Sequence, residues 1–171
     1  MRRLLGIDPG ALGGLGVLDL DDAGTPYAVA LHRTPRVQVT RNGMRRTDYD
    51  PPAMRALLAA AIDWRPIEVG LEAQGARPKQ GVASSYRTGL GFGLWLGLLV
   101  AARVPYRIVT PQAWKRHAGL LGADKRASRL RAQERFPALG AIAPADEGPA
   151  EAILIASYLA ATSLGGGPNG T

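Results

Sequence analysis

The stretch LLGIDPGALGGLGVLDL, residues 4–20, does most to restrict the fold. Two apolar runs, Leu4–Asp8 and Gly14–Leu20, flank a proline and glycines, which predicts two buried strands joined by a tight turn with a carboxylate at the end of the first. DDAG at 21–24 reads as the next turn and Tyr27–Thr34 as a third strand, so the chain opens as a three-strand meander.

A basic segment follows, TPRVQVTRNGMRRTDYD, in which Arg36, Arg41, Arg45 and Arg46 surround an Asn42-Gly43 turn; this predicts a hairpin leaving the sheet. Pro51 and Pro52 then open a helix over AMRALLAAAIDW. Ile67–Gln74 alternates as a strand ending near Glu72, a Gly/Pro/Lys loop over GARPKQGVASS leads into a long helix, and VPYRIVTPQAW gives a fifth strand ending at Thr110-Pro111. Asp124–Phe136 and EGPAEAILIASYLAATS complete the pattern as helices. Within the long helix Gly89, Gly93 and Gly97 leave one face bare of side chains, and intramolecular packing is the favoured use of that face over a dimer contact. The expected class is α/β: a mixed sheet of about five strands flanked by helices, in an order that resembles an RNase H-like sheet. One domain over 1–164, with 165–171 as a frayed tail, accommodates 171 residues.

Lys and Arg number 21 against 14 Asp and Glu, a net charge of +7 that favours an anionic partner, nucleic acid foremost. There are no cysteines, which removes disulfides, thiolate metal sites and cysteine nucleophiles from consideration. MRRLLG has arginines but no continuing apolar stretch, and the longest apolar run, Gly89–Ala102, is 14 residues, shorter than the roughly 17–25 needed to cross a bilayer. The expectation is a cytoplasmic protein without a membrane partner.

Carboxylates stand at Asp8, at Glu72, and at Glu147 and Glu151 with Asp146 beside them. Each has an ordinary reading when taken alone. Asp8 before Pro-Gly suits a turn cap, Glu72 suits an exposed sheet edge, and Asp146 and Glu147 suit the positive end of a helix. Taken together, they occupy strand ends and a helix start that a single fold would gather, where mutual repulsion calls for cations. Oxygen donors, with only His32 and His117 available as imidazoles, suit Mg²⁺ or Mn²⁺ better than zinc. Two such ions at a carboxylate cluster are the arrangement that hydrolyses phosphodiesters. On this reading Pro9, Gly10, Gly13 and Gly14 shape a turn that a phosphate backbone can approach. The glycine spacing of GALGGLG does not suit a dinucleotide site.

These residues resemble a known family. LLGIDPGALGGLGVLD is similar to the first strand and turn of RuvC-like Holliday junction resolvases; GLEAQGARPKQGVASSYRTGLGFGLWLGLLVAARVPYRIVTPQAWKR resembles the phage and bacterial branch of that group, and EGPAEAILIA its terminal acidic helix. The resemblance implies an RNase H-like fold, a homodimer, and Mg²⁺-dependent paired nicking of four-way DNA junctions. It assigns the metal-binding and catalytic roles to Asp8, Glu72 and Glu151. The position three before the last acid, often Asp or His in the family, is Gly148 here, so Glu147 is the favoured fourth ligand, with Asp146 as the other candidate. Lys79, Gln80, Ser84, Ser85, Arg87, Lys115, Arg116 and Lys125 are the expected DNA contacts. Trp114 is expected in the core, and His117 carries no assigned role. The competing readings are a YqgF-like nuclease acting on RNA and a catalytically silent branched-DNA-binding module. An actin-like ATPase shares the first turn but needs a second related domain.

Overall fold

A computed structural model of the chain describes residues 1–62, 67–75 and 81–163, apart from the side chain of Lys125. Three antiparallel strands come first: β1 (Arg2–Asp8), β2 (Gly14–Leu20) and β3 (Pro26–Arg33). The turn between β2 and β3 is closed by the Asp21 side chain, which accepts from the Thr25 N–H at 2.8 Å. The basic segment forms the expected hairpin, β4 (Arg36–Arg41) and β5 (Met44–Tyr49), as a separate two-stranded sheet. Asn42 and Gly43 both adopt positive φ at its tip, the conformation that a two-residue hairpin turn requires.

Helix α1 (Pro51–Ala61) starts at Asp50, whose carboxylate accepts from the Ala53 N–H at 3.1 Å. Then come β6 (Ile67–Glu72), α2 (Val82–Ala101), β7 (Tyr106–Val109), α3 (Pro111–Ala118), α4 (Lys125–Arg135) and α5 (Glu147–Ser163). Thr110 and Asp124 cap α3 and α4 with their side chains. The five-stranded sheet runs β3-β2-β1-β6-β7, with β6 and β7 parallel to β1. Helices cover both faces. Leu4, Leu18 and Leu20 pack with α3, α4 and α5, whereas Leu5, Ile7, Leu15 and Val17 pack with Tyr49, α1 and α2. This is the RNase H-like arrangement that the element order suggested.

Two local expectations need correction. Ser84 and Ser85, placed in a loop by the sequence pattern, lie in the first turn of α2, where the Ser85 N–H bonds to the Gly81 carbonyl. The glycine face of that helix does not pack inside the molecule: a Cβ built at Gly89, Gly93 or Gly97 meets nothing within 4 Å among the described residues. The glycine of α2 that allows close approach is Gly91, whose Cβ would lie 2.3 Å from the Pro9 carbonyl and 2.2 Å from the Tyr49 hydroxyl.

The decisive bare surface lies in the sheet. Gly6 pairs with Gly16 on one side and with Gly70 on the other, a row across three strands on the face that α5 covers. A Cβ on Gly6 would sit 1.9 Å from the Ala152 carbonyl oxygen, and one on Gly16 would sit 2.5 Å from the Ile153 nitrogen. Helix α5 is therefore seated directly on strand backbone. That seating fixes the height of its first turn above the ends of β1 and β6.

Candidate active site

Side-chain parity in β1 and β6 decides which way the acids point. Leu4 and Gly6 face α5, so Asp8, two further along, belongs to the same face; Gly70 meets Ile155 and Leu159 of α5, and Glu72 follows it by two. The strands are parallel and paired through Ile7 and Leu71, which puts the two carboxylates side by side at one end of the sheet. Glu151 comes down from α5, one residue before the Ala152 that rests on Gly6.

Each carboxylate has its own support. Asp8 accepts from the Gly10 N–H at 3.0 Å, so the turn-cap reading describes its local bond while its position in the strand aims it into the cluster. Glu72 is buried, with one oxygen accepting from Trp114 Nε1 and the other from the Gln74 amide, both at 2.8 Å. Glu151 accepts from the buried Ser128 hydroxyl at 3.1 Å. Trp114 is core, as expected, but it also orients Glu72; it and Ser128 were not singled out as site residues. The VTPQAWK block placed the tryptophan close to the site in sequence, whereas nothing in ASRLR marks its serine as the one that faces α5.

The three acids are close enough for their charges to interact. Burial pushes the Asp8 carboxyl up from 3.8 to about 7, and the charges of Glu72 and Glu151 add to the rise. Glu72 is also raised, first by burial and then by Glu151, against the Trp114 and Gln74 hydrogen bonds. Lys115 lowers both; its ammonium lies 5.2 Å from the Trp114 ring centroid. An open groove of about 560 Å³ is lined by Ala73, Gln74, Thr110, Gln112 and Lys115 among others, beside the end of β6.

The remaining candidates are not among the three mutually interacting acids. Glu147 begins α5 one turn before Glu151, partly buried, while Asp146 pairs with Arg33 at 2.5 Å. Position 148 has no room for a ligand, since a Cβ there would be 2.2 Å from the Leu12 carbonyl. The helix start presses on the Pro9–Gly13 turn, so glycine at 148 is a packing requirement. Gly13 and Gly14 are likewise consumed internally, against Asp8 and against His32 and Pro149; their bareness serves the chain's own backbone more directly than an approaching phosphate. Arg87 donates to the Thr47 carbonyl at 2.5 Å, and Arg116 is exposed in the last turn of α3. Lys79 and Gln80 lie outside the described residues, and Lys125 is known only as the first residue of α4.

A metal at this cluster was expected, and the donors suit one in chemistry. They are hard oxygens, each Glu72 oxygen keeps a lone pair beyond its hydrogen bond, and the raised Asp8 carboxyl marks a place short of positive charge. Among the described residues no three His, Asp or Glu side chains are already gathered closely enough to hold one ion. Loading would have to draw the carboxylates together.

The strand order and the helices on both faces of the sheet are those of an RNase H-like α/β fold. The structure of Thermus thermophilus RuvC matches it with a TM-score of 0.62 at 21% identity, over 95% of this chain and 97% of that one. T. thermophilus RuvC in complex with Holliday junction substrate matches with a TM-score of 0.61 at 19% identity, over 94% and 96%. The chain therefore has a RuvC-like fold. No family model and no curated protein sequence matches it. No helix among the described residues is long and apolar enough to cross a membrane.

Proposed function

We propose that the protein is a structure-selective endonuclease that nicks four-way DNA junctions, with Asp8, Glu72 and Glu151 as its central acids and Glu147 as the fourth. The observation that carries this reading is the placement of Asp8, Glu72 and Glu151 at one end of a RuvC-like sheet. Similarity to a RuvC structure that holds a Holliday junction supports the choice of substrate. Asp8, Glu72, Glu147 and Glu151 would hold two Mg²⁺ or Mn²⁺ ions, which supply Lewis-acid activation of water and neutralise charge building on the leaving oxygen.

The chain's own residues do the rest. Trp114 and Gln74 restrain Glu72, Ser128 restrains Glu151, and the Gly10 N–H restrains Asp8, so each acid is oriented before ions draw the carboxylates together. Lys115 puts a cation beside the same cluster, where it can meet a phosphate; Ser84, Ser85, Arg87 and Arg116 extend the contacts along the DNA. Cutting two symmetry-related strands needs two copies, so the working unit is a homodimer, and the exposed Gly89, Gly93 and Gly97 face of α2 is the surface offered to the partner. Gly93→Trp should leave the fold intact but shift the sedimentation coefficient from dimer to monomer.

The direct test is incubation of a labelled four-way junction beside a linear duplex of the same sequences with Mg²⁺. Paired nicks confined to the junction support the proposal; uncut junction across Mg²⁺ and Mn²⁺ titrations favours a silent binding module, and preferential cutting of structured RNA favours a YqgF-like activity. Trp114→Phe removes the donor to Glu72, and Mn²⁺ affinity measured by calorimetry should fall roughly 10- to 100-fold, as for other groups that orient ligands.

A further inference from the structure

Three arginines of the hairpin, Arg36, Arg41 and Arg46, line a surface outside the site described above. On the face of the hairpin turned towards α2, Val39 stands across from Arg46 and Arg41 across from Met44. Between this face and the first turns of α2 runs a groove of about 770 Å³, lined by Arg36, Arg41, Arg46, Arg87, Tyr86 and Leu90 among others. Its single carboxylate, Asp48, lies 3.6 Å from Arg41. Arg36 and Arg46 have no acidic partner among the described residues. Tyr86 is 71% exposed on the α2 wall. Four guanidiniums against one carboxylate, spread over two walls of which one carries an exposed aromatic ring, suit an extended polyanion better than a single phosphate ion.

The groove is fixed to the acidic site. Arg87 bonds across it to the Thr47 carbonyl, and the buried Tyr49, which ends the hairpin, shares its hydroxyl between the carbonyls of Arg87 at 3.2 Å and Pro9 at 3.4 Å. Pro9 follows Asp8 directly. The hairpin wall of the groove is thus tied to the backbone that follows the first acid.

We infer that the β4–β5 hairpin and the start of α2 form a clamp for the phosphate backbone of a DNA arm and feed it towards Asp8. The destination rests on the nuclease reading; the binding itself does not. The test compares Arg41→Ala/Arg46→Ala with Arg55→Ala/Arg103→Ala, which removes two exposed arginines outside the groove and leaves the same net charge. Affinity for fluorescent four-way junction and linear duplex is followed by anisotropy over a salt series in EDTA, so that no cleavage intervenes. The hairpin pair should bind about tenfold more weakly, and its plot of log affinity against log salt should lose about two from the slope, the change expected for two lost phosphate contacts. Arg41→Lys/Arg46→Lys should keep most of the slope, which separates lost charge from a collapsed hairpin.

Equal slopes for the hairpin and control pairs would overturn the clamp. So would a hairpin-dependent slope seen with RNA or a polyglutamate peptide but not with DNA. If the wild type cuts no junction yet the hairpin pair still loses affinity, the clamp stands and the nuclease reading fails. If the wild type cuts and the hairpin pair binds like the control, the clamp alone fails.

Discussion

Asp8→Asn is expected to lower junction cleavage about a thousandfold or more while leaving junction affinity in EDTA within about twofold. The side chain is a central acid of the cluster, whereas affinity comes from cations spread over Lys115, α2 and the hairpin. The same substitution should stabilise the metal-free protein, and the sign follows from the raised carboxyl. Between 3.8 and about 7 the native protein keeps a proton on Asp8 that the unfolded chain has released, so rising pH favours unfolding across that window. Asparagine has no charge to bury. The variant and wild type should therefore melt alike near pH 4, and the variant should be more stable by about 2–4 kcal/mol above pH 7. Thermal denaturation in EDTA across that range measures the difference. A constant gap at every pH would mean that burial and its neighbours' charges do not raise the Asp8 carboxyl.

Gly6→Ala is expected to be the most damaging glycine-to-alanine substitution among the described residues. The added carbon would lie 1.9 Å from the Ala152 carbonyl, and the obstacle is helix backbone with no rotamer to yield. Lifting α5 would strip contacts from Ile153 and Ala156 and draw Glu151 away from Asp8, so both stability and cleavage should fall. The loss should reach about 3 kcal/mol, at the upper end for overpacked cores. Chemical denaturation gives the first quantity and the junction assay the second. An alanine tolerated at Gly6 would contradict the direct seating of helix on strand.

The contrast between the two glycine sets shows how much of the fold was legible in the sequence. Strands, turns and helix starts follow local rules, which is why the Asn42-Gly43 hairpin, the Pro51 helix start, the end of the fifth strand at Thr110-Pro111 and the helix opening at Asp124 lie where composition and spacing indicate, whereas the short helix α3 that Pro111 begins has no counterpart in that reading. The Gly89, Gly93, Gly97 period is equally visible, yet that face is open; the glycines that matter for α5 are Gly6, Gly16 and Gly70, which are neighbours only after strands are paired in register. No one-dimensional period encodes a row that crosses three strands.

The candidate site divides in the same way. Alternation along β1 and β6 could place Asp8 and Glu72 on one face, and the acidic helix start supplied Glu151. The roles of Trp114 and Ser128 depend on side chains meeting from separate elements, at sequence separations of 42 and 23. The engagement of Asp146 by Arg33 and the absence of space at Gly148 are likewise tertiary facts. The family-like acid three residues before Glu151 is missing because the helix start rests on the Leu12 carbonyl.

Calorimetric titration of Mn²⁺ into the metal-free protein tests the central claim most directly. Wild type should bind with release of protons between about pH 5 and 7, as Asp8 gives up the proton that burial holds on it. Binding should be lost in Asp8→Asn, Glu72→Gln and Glu151→Gln and kept in Asp146→Asn, whose carboxylate is engaged by Arg33. Unchanged Mn²⁺ binding in the first three variants would contradict the account, because these carboxylates would then not form one cation site.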